Sequence, residues 1–500
     1  MNRKVKRFLF FIILISCSLM LSACSMSDLT IPRRWKNKTT EYKEDIPAES
    51  YERSKLDNIM AYSDAYSFKD VHKMIYGRDG YMPSKGDVKV LVLPINFSDV
   101  YTSSSNLVKY RTDIERAFFG TDTGYESLKT YYEKSSYGNL KISGTVLPWY
   151  TPKNSSTYYE NIYTNSYDKI SSYLGELANE ILSYYSSEID FSDYDYDKDG
   201  IIDGVYLICN KNLQKYDSLY WSWVTYYNGK KTQGDYKLYQ FMWSNIGFLY
   251  HDDFYKPVKN NTINAITLIH ETGHLMGCDD YYDYSANEYS SSIFGSSIKE
   301  QGKGCNIGAG SYDMMDGNVG DHCANTKMLF GWITPYVITK DITIDLNKFS
   351  KNGDAIIVAP SFDTDSGNLS EYFVIEYYDH EGLADQNIFD NRGYRKSGIR
   401  IYHINSKVER DSSYWSLFKY DNSYTSHAFM GLIDASSNLS GKGDFIDSSL
   451  TATDSSLFQK GDTFIPTASK EYVNKLLLNV EVSINDVNDD TASITIRFKD

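Results

Sequence analysis

The 500-residue chain carries a formal net charge of −15. Removing a predicted N-terminal signal that holds four basic residues would bring this charge to −19. A surface this acidic argues against nucleic acid as a partner, against adsorption to anionic lipid, and against acidic substrates as a class.

Residues 1–23 have the pattern of a secretory signal peptide. Four basic residues precede an apolar run from Phe8 to Leu21. The run ends in Leu21-Ser22-Ala23-Cys24, and small residues before a Cys at this point resemble the bacterial lipobox. Cys24 would then carry the lipid that anchors the mature protein to the membrane, in the cell envelope and outside the cytoplasm. A soluble secreted protein cut near Ala23 is the alternative, and an uncleaved span is disfavoured because the run is short.

Residues 24–85 are predicted to form a tether or a short pro-segment. The first part of this stretch is polar and charged, contains Pro32 and Pro47, and lacks a sustained apolar period. Such a composition favours a segment that does not build a core of its own.

The stretch from residue 86 to 334 mixes strand and helix patterns. Apolar runs at Val88–Leu93 and Val205–Ile208 predict buried strands. Apolar residues recur at helical spacing between Tyr167 and Tyr184, which predicts an amphipathic helix. This stretch is therefore expected to form one domain of mixed α and β structure.

An acidic loop lies just before the second of these strands. Asp195, Asp197, Asp199 and Asp203 occupy relative positions 1, 3, 5 and 9, and Gly200 occupies position 6. Carboxylates at these positions around a sharp turn suit calcium. Position 12 is not the Glu of an EF-hand and the loop leads into a strand, so a structural ion is predicted. An ordinary acidic loop is the alternative.

A zinc motif occupies eleven residues that begin at His270. His270 and His274 are four residues apart and therefore project from the same face of a helix, while Glu271 lies between them. This is the H-E-x-x-H arrangement of a metallopeptidase. Gly277 can adopt the positive φ that ends a helix and reverses the chain, which would return Asp280 to the metal.

The third zinc ligand has more than one candidate. Asp280 stands ten residues after His270, an offset that suits a ligand beyond a Gly turn, and Asp279 competes with it. Glu288 and Glu300 lie further along, but neither opens the E-x-x-x-D pattern that would mark a ligand helix. Asp280 is therefore preferred.

The segment Gly310–Gly317 predicts a second part of the site. Met315 is the candidate for the Met that lies on a tight turn beneath the zinc in metzincins, where its thioether fills an apolar gap. With Asp280 in place of the third metzincin His, the chain resembles the M6 peptidases, the immune inhibitor A family. This resemblance implies an α+β, zincin-type domain in which a mixed sheet packs on the zinc helix.

The resemblance extends over roughly residues 86 to 470. Five further segments carry it: Leu91–Asp99, Leu128–Tyr132, Ser136–Leu140, Gly331-Trp332 and Gly398–Ile404. The chain departs from the family at Cys278 and Asp279, where such proteins commonly have apolar or Pro residues. The turn into the third ligand is therefore expected to differ in shape.

Three further sets of residues near or beyond this site have open interpretations. His322 could reach the cleft and donate a hydrogen bond to the developing oxyanion, or it could be an ordinary loop His. Tyr281 and its Tyr neighbours could line the cleft, although 46 tyrosines occur in the chain and most are expected to be surface or core residues. Glu376 and His403 lie on neighbouring predicted strands and are interpreted as a buried pair.

The C-terminal residues 335–500 are predicted to be β-rich and packed as a sandwich. Six apolar segments predict strands there: Ile342–Leu346, Ala355–Ala359, Tyr372–Tyr377, Gly398–Ile404, Leu478–Ile484 and Ala492–Phe498.

Cysteine usage is sparse in the mature chain. Cys209, Cys278, Cys305 and Cys323 are too few for a disulfide scaffold and lack C-x-x-C spacing. One bridge is plausible outside the cell, either Cys278 to Cys305 or Cys305 to Cys323.

Motif and resemblance together predict an extracellular, membrane-anchored zinc endopeptidase that hydrolyses protein substrates. Glu271 would take the proton of the attacking water and pass it to the leaving amine. Two alternatives are a zinc hydrolase for a non-peptide substrate, such as a cell-wall amide, and a lipid-anchored binding protein on a catalytically decayed peptidase fold.

Overall fold

A computed structural model describes residues 59–499, with gaps at 79, 122, 214–217, 228–231, 252–261, 283–307, 311, 319, 363–365, 385–393, 408–421, 423–428, 438–443, 446–451 and 467–473. The predicted signal peptide and Cys24 lie outside the described residues. Within the described residues, no helix is long and apolar enough to cross a membrane.

The helices of the described chain are α1 (Phe68–Tyr76), α2 (Ser104–Phe119), α3 (Leu128–Ser135), α4 (Ser156–Asn165), α5 (Ile170–Tyr184), α6 (Ile266–Leu275), α7 (Ala324–Leu329) and α8 (Phe349–Asn352). Its strands are β1 (Ile59–Ala61), β2 (Gly86–Ile95), β3 (Leu140–Val146), β4 (Val205–Cys209), β5 (Trp223–Tyr226), β6 (Thr232–Gln233), β7 (Tyr236–Lys237), β8 (Gln240–Asn245), β9 (Tyr336–Ile338), β10 (Ile342–Asn347), β11 (Ala355–Val358), β12 (Glu371–Tyr378), β13 (Gly398–Asn405), β14 (Met430–Asp434), β15 (Asp444–Phe445), β16 (Thr463–Phe464), β17 (Val480–Val487) and β18 (Thr491–Phe498).

The chain divides into two compact units. The first unit contains residues 78–133 and 138–277. The second contains the described residues before 78, residues 134–137, and the chain from 278 onward. These compact units divide the chain at Gly277, and the predicted domain boundaries at 86 and 334 stay predictions.

The first unit is built on a five-stranded mixed sheet. Its strand order is β3-β2-β4-β8-β5, in which the first four strands are parallel and β5 is antiparallel. Strand β4 and the Val90–Ile95 part of β2 are continuous apolar runs with side chains buried on both faces, as in other parallel sheets. Helix α5 packs on one face through Leu174, Leu177 and Ile181. The apolar residues at helical spacing correctly predicted this helix.

The zinc-motif helix α6 packs against β8 and β5 of the same sheet. Two side-chain hydroxyls join it to neighbouring elements: Tyr206 on β4 lies 2.9 Å from the Thr272 hydroxyl, and Tyr132 on α3 donates to the Ile269 carbonyl at 2.7 Å. The amide of Met82 donates to the carbonyl of Leu275 at the end of the helix, at 2.9 Å. Helix α6 is therefore bonded to neighbouring elements in its middle and at its end. The mixed sheet with helices packed on it confirms the expected α+β fold class.

The second unit is a β-sandwich. A seven-stranded sheet of order β1-β9-β11-β12-β13-β14-β15 and a four-stranded sheet of order β10-β18-β17-β16 contribute to one apolar core. Alternate residues of β17 and β18 point into this core, including Val482 and Ile494, as expected for strands with one buried face. The predicted β-rich C-terminal region is confirmed.

The described end of the predicted tether or pro-segment folds as part of the second unit. Strand β1 pairs antiparallel with β9, with Ile59 opposite Ile338. Helix α1 begins with a capping box between Ser67 and Asp70, and its Phe68 ring packs 5.0 Å from the ring of Phe330. Residues 59–76 therefore contribute secondary structure that the composition of this stretch did not predict.

Candidate metal centre

The side chain of Asn264 accepts a hydrogen bond from the first residue of helix α6. The Asn264 side-chain oxygen accepts a hydrogen bond from the Ile266 amide at 2.9 Å, and its side-chain nitrogen donates to the His251 carbonyl at 2.8 Å. Ala265 is the residue that flanks the helix. These hydrogen bonds fix the chain at the start of the helix that carries the two predicted histidine ligands.

The two histidines of α6 bring their Nε2 atoms to 3.2 Å from each other. Two ligand nitrogens at about 2.1 Å from a tetrahedral zinc ion are about 3.4 Å apart, so the observed separation fits two ligands of one ion. His270 is buried and His274 is partly exposed, which leaves one side of the pair accessible. Glu271, between them in the chain, is only 6% exposed.

Asp280 joins the histidine pair after a sharp turn. Gly277 has a φ of 95°, and its amide donates to the His274 carbonyl at 3.0 Å. The turn that the sequence predicted at Gly277 is therefore present. One ligand atom each of His270, His274 and Asp280 lies within 4.8 Å of the others, and Asp280 is buried. Asp279 is not in this group, so the geometry favours Asp280 as the third ligand.

Tyr281, the residue after Asp280, is fixed at three points. Its amide donates to the Met315 carbonyl at 2.9 Å, and its carbonyl accepts from the Asn422 side chain at 2.7 Å. Its hydroxyl lies 2.5 Å from the Thr326 hydroxyl on α7. The side chain is completely buried, so Tyr281 fixes the chain directly after Asp280 and does not line a cleft. Sequence reasoning missed this role, because nothing local distinguishes Tyr281 among so many tyrosines.

The predicted Met turn is a tight turn in the structure. Met315 is completely buried, and the amides of Asp316 and Gly317 both donate to the Asp313 carbonyl. The Asp313 carboxylate accepts from the amides of Met315 at 2.8 Å and Cys323 at 2.7 Å. Burial raises the pKa of Asp313 to about 6, although these two hydrogen bonds oppose the rise. The position of the Met315 thioether beneath a zinc ion stays a prediction.

His322 is completely buried. Its ring packs 5.5 Å from the ring of Phe330 and 5.7 Å from that of Trp332, and its amide donates to Asp321 at 2.8 Å. These contacts favour the interpretation of His322 as a structural histidine over a donor to the oxyanion. The catalytic role of His322 stays an untested prediction.

The buried ion pairs of the seven-stranded sheet differ from the predicted pair of Glu376 and His403. Strand register places Glu376 opposite Arg400. The Nε atom of Arg400 donates a hydrogen bond to Oε1 of Glu376 at 2.6 Å. His403 instead lies 2.8 Å from Glu371. The predicted Glu376–His403 pair is therefore wrong, because the two residues are three register positions apart and the sequence does not reveal strand register.

The acidic loop brings together three of its four carboxylates. Oxygens of Asp195, Asp197 and Asp199 lie within 4.8 Å of one another, and Asp195 accepts from the amides of Asp199 and Gly200. Asp203 is not in this group, and it accepts from the amide of Tyr196 at 2.7 Å. Burial, with the nearby aspartate charges, raises the pKa of Asp203 to about 8.

Cys209, Cys278 and Cys323 are buried, and none of them forms a disulfide with another cysteine of the described residues. Burial raises the pKa of Cys209 to about 12, which makes this thiol unreactive near neutral pH. Cys305 lies outside the described residues, so both predicted disulfides remain predictions.

Residues 82–205 match the model of the family described as immune inhibitor A peptidase M6, catalytic domain. A comparison with curated proteins finds no match. The family match ends at the first residue of β4 and does not reach α6, so the histidine and aspartate geometry is a separate observation that agrees with it. The match over residues 82–205 supports an M6 metallopeptidase, and the M6 peptidases are metallopeptidases that act on peptide bonds.

Proposed function

We propose that this peptidase is an endopeptidase for protein substrates in which His270, His274 and Asp280 hold one zinc ion and Glu271 acts as the general base. The observation that carries the proposal is the 3.2 Å separation of the two Nε2 atoms, with the Asp280 carboxylate beside them. Two imidazoles and one carboxylate are a ligand set of catalytic zinc sites, which keep a fourth position open.

Zinc held in this way would lower the pKa of a water molecule and polarise the scissile carbonyl. Glu271 lies on the same helix, next to the first ligand, and is itself mostly buried. Its carboxylate would accept the proton of the attacking water and deliver that proton to the leaving nitrogen. His270, His274 and Asp280 take no part in proton transfer in this scheme.

Glu271→Gln tests the proposal because it removes the base and keeps the ligands. The variant should retain one zinc per chain and lose casein hydrolysis by about 10²- to 10⁴-fold. Glu115→Gln, at an exposed position on α2, is the matched control and should keep full activity. Appreciable turnover by Glu271→Gln would show that another group is the base. Cleavage of a cell-wall amide with no cleavage of a peptide library would instead support a non-peptide hydrolase.

We further propose that the mature enzyme is lipid-anchored through Cys24 and faces outside the cytoplasm. The support is the basic and apolar pattern of residues 1–23 and the Leu21–Cys24 segment that follows it. An anchor at Cys24 would keep the peptidase at the cell envelope, where it would meet extracellular proteins.

The acidic loop is proposed to bind a structural calcium ion. The support is the approach of three carboxylates in a loop where Lys198 and Gly200 both have positive φ, which directs oxygens towards one point. Like charges this close repel each other in the absence of a cation. A bound cation would therefore stabilise the segment between α5 and β4.

A further inference from the structure

A buried ion pair in the sandwich contacts both ends of the loop that carries Met315. Arg400 Nη1 donates to the Tyr312 carbonyl at 3.3 Å, and Glu376 Oε2 accepts from the Ala324 amide at 2.7 Å. Glu376 and Arg400 are joined to each other across β12 and β13, and both side chains are almost completely buried. One ion pair therefore ties the two ends of the 312–324 loop to the same point of the sheet.

The pair has little freedom to move. The Arg400 guanidinium lies 4.4 Å from the ring of Tyr378 and 5.5 Å from that of Tyr402. The ring of Tyr394 lies 4.9 Å from that of Tyr312 at the start of the loop. Burial of two charges is expensive, so a pair is expected to persist where each charge has several well-placed partners. Here each charge also forms a hydrogen bond with a backbone group of the loop.

Inside the loop, a second carboxylate continues the connection. Asp313 accepts from the amides of Met315 and Cys323, and so fixes the Met turn against the end of the loop. The Met315 carbonyl in turn accepts from the Tyr281 amide at 2.9 Å, and Tyr281 directly follows Asp280. A path of hydrogen bonds joined by short stretches of backbone therefore runs from the sheet to the residue next to the proposed carboxylate ligand.

We infer that Glu376 and Arg400 are positioning residues for the metal site, which hold Asp280 in place through the 312–324 loop and Tyr281. The inference rests on the proposed zinc function and deepens it by extending the support of the site into the sandwich. Residues that orient ligands from a distance change metal affinity when they are altered, typically by about 10- to 100-fold for the nearest ones. A more remote pair should lie at the lower end of that range.

The same sheet offers a matched control. Glu371, also on β12, is buried, contacts His403 on β13 at 2.8 Å, and accepts from the backbone amide of Asn474 at 2.6 Å. It has the same kind of partners as Glu376, but its backbone partner is not in the 312–324 loop. Glu371→Gln therefore reproduces the general cost of altering a buried glutamate in this sheet.

The experiment compares Glu376→Gln with Glu371→Gln in the full chain, by competition for Zn²⁺ with a chromogenic chelator and by the visible spectrum of Co²⁺ bound in place of zinc. Glu376→Gln should bind Zn²⁺ about tenfold more weakly, with an altered Co²⁺ spectrum, whereas Glu371→Gln should match the unaltered chain. Equal affinities and spectra in the two variants would overturn the inference, whatever their thermal stabilities.

A second variant covers the case in which Glu376→Gln fails to fold. Asp313→Asn keeps the size of the side chain but offers one acceptor oxygen to two amides, and it should weaken Zn²⁺ binding in the same sense. Unchanged Zn²⁺ affinity in this variant would also count against the inference.

Amide hydrogen exchange tests the connection without metal. The Tyr281 amide should exchange faster in Glu376→Gln and Asp313→Asn than in Glu371→Gln, because its acceptor at Met315 is released. Equal exchange in all three would overturn the inference. An unaltered chain that binds no zinc would refute the proposed function alone, since the exchange comparison needs no ion.

Discussion

Asp313 should make the stability of the protein depend on pH between about 4 and 6. The carboxyl group is completely buried, and burial raises its pKa from 3.8 to about 6. A group whose pKa is higher in the folded state binds its proton more tightly there. Its contribution to stability is therefore complete below pH 3.8 and is lost as the pH rises through 6.

The change in unfolding free energy follows from the size of the Asp313 pKa shift. At 1.36 kcal/mol for each pKa unit, a rise of about two units corresponds to about 3 kcal/mol of unfolding free energy. Asp313→Asn removes the titration but keeps the shape, so all other titrating groups cancel when the variant is compared with the unaltered chain. Because the contribution is not yet complete at pH 4, the stability of the variant relative to the unaltered chain should increase by about 2.4 kcal/mol between pH 4 and pH 7.

Urea unfolding of both proteins at closely spaced pH values, followed by circular dichroism, measures this difference. A difference that stays constant from pH 4 to pH 7 would refute the reasoning, because it would mean that Asp313 titrates alike in the folded and unfolded chains. A difference that changes in the opposite direction would mean that the two amide hydrogen bonds outweigh burial.

Three other predictions concern the proposed ion sites and the membrane anchor. Asp280→Ala should lose zinc affinity while Asp279→Ala keeps it, as measured by Zn²⁺ titration; the reverse order would transfer the ligand assignment to Asp279. Calcium at 100 times its Kd should stabilise the protein by about 2.7 kcal/mol and so raise its melting temperature. The double substitution Asp197→Ala with Asp199→Ala should abolish this rise while zinc stays bound. A melting temperature indifferent to calcium in the unaltered chain would leave the loop without an ion. Cys24→Ser should move the protein from the membrane fraction to the medium, and an unchanged distribution would exclude the anchor.

The sequence by itself determined the parts of the protein that depend on local geometry. His270 and His274 share a helix face because their spacing is close to one helical turn, and Gly277 reverses the chain because it alone tolerates the required φ. The strands and helix α5 were predictable for the same reason, since alternation and helical spacing record which side chains are buried. These local rules were sufficient to predict the fold class and to select three residues, His270, His274 and Asp280, whose ligand atoms the structure brings together.

Tertiary structure decided which distant residues support these parts. Strand register pairs Glu376 with Arg400 and not with His403, and register is set by packing that acts over the whole sheet. Long-range contacts tie Tyr281 to Met315, and burial places His322 among aromatic rings. Each of these outcomes depends on residues far apart in the chain meeting in one core. The spacing of residues along the sequence carries no record of such meetings, and so only the folded structure could reveal them.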